Sequence, residues 1–152
     1  MRNPFNIPEV LESILQVATR RFPETTQGRL GGFLCVLNPQ IGEIVVTGLI
    51  GTEPDEKKRE KYKLLAEEKA RRLALHPEHQ SSWESRDPDK NRWGGAIRGT
   101  RLLFSFSGLP ELWDEALMLV LAVRLKEIET AAAQAIAKKS ENQFFEQLLS
   151  AN

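Results

Sequence analysis

The sequence predicts an α+β domain, and three observations carry the prediction. Two pairs of β-rich runs, at 29–50 and 93–107, are each joined by a short turn. Runs with helical apolar spacing stand before, between and after them. Glycine and proline mark most of the boundaries. The 152 residues, 41% hydrophobic and 28% charged, suit a single domain over 1–152, with 139–152 as a C-terminal helical extension.

Residues 1–6 read as an irregular arm. Pro8 suits a first helical turn, and Leu11, Ile14, Leu15, Ala18 and Phe22 share one helical face until Pro23 stops the run. Two strands follow, Arg29 to Leu37 and Glu43 to Ile50, joined through Asn38–Pro39 and Gly42. The first is apolar on both faces, Phe33, Cys35 and Leu37 on one and Leu34 and Val36 on the other, which predicts a central strand. Gly31 and Gly32 mark a bulge or a close backbone approach.

Thr52 is the expected N-cap of a helix reaching about Leu75. Its inner stripe is Tyr62, Leu65, Ala66, Lys69 and Leu73, with Lys69 snorkelling at the edge. Glu67–Arg71 and Glu68–Arg72 are expected i,i+4 pairs. The polar stretch His76 to Asn91 has the length of a functional or mobile loop, and Trp83 within it is an anchor or a stacking surface. Trp93 to Gly99 and Arg101 to Ser107 form the second hairpin, with a two-residue turn expected at Gly99–Thr100. Pro110 opens an apolar helix whose continuous run implies cover on two sides, one being the sheet and the other a second subunit or the tail. Ser140 and Gln143 make a capping box for a last amphipathic helix.

Composition narrows function. Basic and acidic residues balance at 21 each, so neither nucleic acid nor an anionic membrane is an expected partner. The apolar run Ala116–Val123 is far shorter than the roughly 20 residues needed to span a bilayer. The N-terminal residues lack an apolar core of signal-peptide length, and the expected location is cytoplasmic. The lone Cys35 reads as a small core hydrophobe.

Motifs for chemistry are sparse. There is no HExxH, P-loop or CxxC, GGAIRG lacks dinucleotide-site spacing, and Ser107 has no nucleophile-elbow context. His76 and His79 flank Glu78, but Pro77 breaks helical ligand geometry. A catalytic set is therefore not discernible. The candidate ligand-binding residues are Ser105, Ser107 and Gly108 at the turn into a helix N-terminus, with Arg98 and Arg101 beside the hairpin and Trp83 closing from the loop.

The run CVLNPQIGEIVV, the helix with EEKARRLA and the hairpin ending FSFSGLPELWDEALMLVLA together resemble the GlcG/HbpS-like haem-binding family, which is related to the C-terminal domain of PduO-type proteins. Val36, Asn38 and Gly42, then Lys69 and Ala70, then Ser107, Gly108, Asp114 and Glu115 carry the resemblance. The family's Gly-Gly-x-Pro step is Gly94–Gly95–Ala96–Ile97 here, and Thr52–Glu53–Pro54 replaces its Arg-Met-Asp-Gly segment. The resemblance implies a profilin-like antiparallel sheet of four to five strands with helices on both faces, homo-oligomers, and haem or another tetrapyrrole as ligand. No haem-ligating residue carries over by motif; His76, His79 and Tyr62 are the side chains to examine as axial ligands. The resulting expectation is a non-enzymatic small-ligand-binding module. The alternative is a structural or protein-interaction domain using the outer face of the apolar helix and the tail.

Overall fold

In the computed structural model, which describes residues 6–152, the doubly apolar run becomes β1 (Gly31–Asn38), an interior strand. The arm expected over residues 1–6 lies outside the described residues except for Asn6, which precedes the first helix. The strands β2 (Glu43–Gly51), β3 (Ala96–Arg98) and β4 (Leu103–Ser107) complete an antiparallel sheet in the order β2-β1-β4-β3. The fold is α+β, with helices on both faces of the sheet.

Each face of β1 belongs to its own core. Leu34 and Val36 pack with the helices α1 (Ile7–Arg21) and α3 (Glu111–Arg124). Cys35 and Leu37 pack with Ala66, Ala70 and Leu73 of α2 (Glu56–Ala74), across the sheet. Alternation at a two-residue period produces this split directly. Gly31 and Gly32 resolve as close approaches. A Cβ on Gly31 would strike the Thr52 backbone, and one on Gly32 would strike the Ser107 carbonyl where β1 meets β4.

Several local expectations shift by a residue or more. The N-cap of α2 is Asp55, not Thr52; its carboxylate accepts from the Lys57 and Lys58 amides. The reversal between β3 and β4 falls at Thr100–Arg101, one residue later than expected, because Arg98 pairs with Leu103 and the Gly99 N–H donates to the Leu102 carbonyl at 2.8 Å. Glu127 explains the offset. Its carboxylate accepts from the Arg101 and Leu102 amides, and a Cβ on Gly99 would lie 2.9 Å from Glu127 Oε1.

The apolar α3 is covered on its outer side by this chain's own tail, α4 (Thr130–Lys139) and α5 (Phe144–Ala151). Trp113 stacks on Phe144 with ring centroids 4.6 Å apart, and Phe145 and Leu148 are fully buried. The expected capping box does not form, since the Ser140 hydroxyl donates instead to the buried carboxylate of Glu115. Asn142 Nδ2 donates to the same carboxylate at 2.8 Å and to the Leu112 carbonyl at 2.8 Å. Burial pushes the Glu115 carboxyl above its ordinary range, against these two hydrogen bonds.

The polar stretch 76–91 folds against the body of the domain. It contains 3-10 turns at Ser82–Ser85 and Pro88–Lys90. Two arginines strap it to the body. Arg72, buried at 6% exposure, donates to the carbonyls of Ser82, Ser85 and Trp93 while pairing with Glu68 at 2.8 Å. Arg98 donates to the carbonyls of Leu73, His76 and His79. No Glu67–Arg71 bridge forms among the described residues.

Truncating Phe145→Ala should destabilise the domain by about 3–5 kcal/mol, whereas Gln147→Ala on the exposed side of α5 should change stability by less than about 0.5 kcal/mol; urea unfolding of both variants measures this. Cys35, fully buried and with its thiol pushed up to about 12 by burial, should react with a thiol reagent only after denaturant opens the chain.

Candidate functional site

Where β4 ends, the backbone must swing sharply into α3, and Gly108 permits it. A side chain there would collide with Gly31 and Gly32 of the neighbouring strand. The turn leaves a cleft of about 340 Å³ between the Ser107–Pro110 segment, the middle of α2 and Trp93. That volume lies at the small end of the range for small-molecule sites, roughly 300–1,000 Å³.

At its base lie Lys69 and Asp114. The expectation that Lys69 snorkels at the edge is overturned: its side chain is buried at 2% exposure. Its ammonium donates to the Phe106 carbonyl at 2.7 Å and to Asp114 Oδ2 at 3.2 Å. Asp114 Oδ1 accepts the Leu109 amide at 2.9 Å, so this carboxylate supports the turn. Gly95 makes the arrangement sterically feasible. Its φ is +119°, and a Cβ there would lie 2.7 Å from Lys69 Nζ and 3.0 Å from Asp114 Cβ. Burial raises the Asp114 carboxyl to about 6, with the Lys69 ammonium and the Leu109 N–H pulling the other way without cancelling it.

Around the rim, Glu111 is engaged through one of its two oxygens. Its Oε2 accepts from Arg86 Nε at 2.6 Å and from the Gly94 amide at 2.7 Å. That hydrogen bond holds the Arg86 guanidinium above its ordinary range. Arg86 also lies over the Trp83 ring, 4.7 Å from the centroid. Two further cations line the cleft, Arg29 and Lys61, and neither pairs with a carboxylate among the described residues. Tyr62 and Trp93 supply aromatic surface.

The candidate residues divide sharply. Ser107, Gly108 and Tyr62 line the cleft. Ser105 does not; its hydroxyl is buried and donates to the Ala66 carbonyl at 2.7 Å. Arg98 and Arg101 sit at the opposite end of β4, since Arg98 pairs with Leu103, and Arg101 bonds Glu127 at 2.9 Å. Trp83 packs against Gly94 and Arg86 and anchors the loop. His76 and His79 lie beyond the C-terminal end of α2, about 20 Å along the chain axis from Tyr62. Their rings are stacked at 4.7 Å and 2°, and His76 Nδ1 bonds the Arg72 carbonyl at 2.8 Å. Stacked rings aim their nitrogens within parallel planes, so the pair does not bracket a metal. No cluster of three or more His, Cys, Asp or Glu suited to a metal exists among the described residues, and no described helix is long and apolar enough to cross a membrane.

Sequence reasoning missed Arg29, Lys61 and Trp93 as cleft residues. It placed Lys69 on the inner stripe, and a charged residue there was itself the signal for a buried partner. Compared with models of known families, with curated proteins and with solved structures, the chain finds no match in any of the three.

The buried carboxyl has a testable pH signature. A folded-state value of about 6 against 3.8 for a free aspartate means that protonation favours the fold. Relative to a Lys69→Met/Asp114→Asn double variant, the natural protein should lose stability as pH rises from about 4 through about 6, and the difference should level off above that. Denaturant unfolding at a series of pH values reads it; a flat difference contradicts the raised carboxyl.

Proposed function

We propose that the protein is a non-enzymatic small-ligand-binding module acting as a homo-oligomer, with the cleft at the start of α3 as its site. The observation that carries this reading is the cleft itself, which combines a buried ion pair, two cations without a salt-bridge partner among the described residues and two aromatic side chains in one concavity.

The ligand implied by the family resemblance is haem or another tetrapyrrole. Of the three candidate axial ligands only Tyr62 lines the cleft, and a tyrosine oxygen is an established type of haem-iron ligand. The two histidines have no part in this reading. Arg29 and Lys61 are suited to a tetrapyrrole's peripheral carboxylates, and Trp93 and Tyr62 to its flat face.

Titration with haemin should give a saturable Soret shift at micromolar protein that is lost in Tyr62→Phe, and light scattering should give a mass that is a multiple of the 17.2 kDa chain. An unshifted Soret band removes the tetrapyrrole; a monomer mass removes the oligomer.

A further inference from the structure

The cleft keeps unused donors. Both carboxylates already hold cations and amides: Asp114 holds Lys69 and the Leu109 amide, and Glu111, through Oε2, holds Arg86 and the Gly94 amide. Several donors hold no such partner. An ammonium carries three N–H groups, and Lys69 uses two of them, on Phe106 and Asp114. The Ser107 hydroxyl lines the same cleft, nearly buried at 4% exposure, and makes no side-chain hydrogen bond among the described residues. Arg29 reaches only the Gly108 carbonyl, at 3.5 Å, and Lys61 holds no carboxylate.

The charge balance points the same way. Lys69 with Asp114 and Arg86 with Glu111 each cancel. What remains at the cleft is the pair of cations Arg29 and Lys61. A neutral or cationic occupant would leave these donors unmet and the two positive charges without a counter-charge. An occupant bearing an oxyanion satisfies both. Donors fixed by burial, as Lys69 is, cost little ordering on binding, and charge-assisted hydrogen bonds are the stronger kind.

Resting on the cleft as the ligand site, we propose that its occupant is held through an oxyanion, a carboxylate or a phosphate group. Lys69 and Ser107 contact it at the base, and Arg29 and Lys61 clamp it at the mouth. Recognition of the anionic group thereby adds to whatever contact Tyr62 makes with the rest of the ligand.

The test uses the full chain at low ionic strength, with inorganic phosphate and citrate as separate probes and sodium chloride at matched ionic strength as the control. Backbone amide shifts are followed by NMR. Saturable shifts centred on Ser107–Leu112 are expected for at least one probe, and the probe that binds assigns phosphate or carboxylate as the class. The exposed double variant Arg29→Glu/Lys61→Glu, which leaves the buried pair intact, should bind at least about tenfold more weakly. Lys69→Met is a second variant, expected to abolish the shifts where it folds. Shifts reproduced by chloride, or equal affinity in the charge-reversed variant, overturn the proposal. Protoporphyrin and its dimethyl ester separate this inference from the ligand reading beneath it. If the ester binds as well as the free acid, the cleft is a ligand site without oxyanion recognition. If neither binds and both anions fail, the site assignment falls as well.

Discussion

The structure depends on a lysine that reaches from one side of the sheet to the other. Lys69 belongs to α2, which covers one face; Asp114 belongs to α3, which covers the opposite face. Their contact passes around the end of β4 and takes in the Phe106 carbonyl on the way. Apolar packing alone would hold each helix to its own face. The ion pair sets how the two helices stand relative to one another, and with them the turn at Gly108. Burying two charges is expensive, and replacement by apolar groups is often neutral for stability. Geometry is therefore the more telling contribution of this pair: it determines where the Ser107–Pro110 segment sits.

The sheet was legible from alternation because a two-residue period reports both faces of a strand at once. β1 declared itself central through Phe33–Leu37, and the helices declared themselves through their apolar stripes. What eluded the sequence were polar groups whose partners lie far along the chain. Ser140 has the local pattern of a helix cap, but Glu115, 25 residues earlier, takes its hydroxyl. Gly99–Thr100 has the pattern of a tight turn, but Glu127 captures the next two amides and moves the reversal by one residue. In both cases a buried carboxylate outcompetes a local rule worth about 1 kcal/mol or less, because leaving such a group unsatisfied costs more.

The candidate site was half legible for the same reason. Ser107 and Gly108 were found because a strand–glycine–helix junction is a local pattern. Arg98 and Arg101 were misplaced because closeness in sequence to a hairpin does not say which end of it they occupy. Arg29 and Lys61 come from segments 32 residues apart and meet only through tertiary packing, so no spacing rule could pair them. The stretch 76–91 shows the converse. Its composition suggests mobility, but Arg72 and Arg98 spend their donors on its carbonyls, which gives a polar segment the hydrogen bonds that a strand would otherwise provide.

The tail that roofs α3 has a consequence for how the molecule is made. Synthesis runs from the N-terminus, so the heavily buried helix α3 emerges before α4 and α5, which shelter it. Until they arrive, Trp113 and the leucines beside it have water, or whatever attends the nascent chain, as their neighbour. The pair α4 and α5 is thus the keystone of an arch built from the other end.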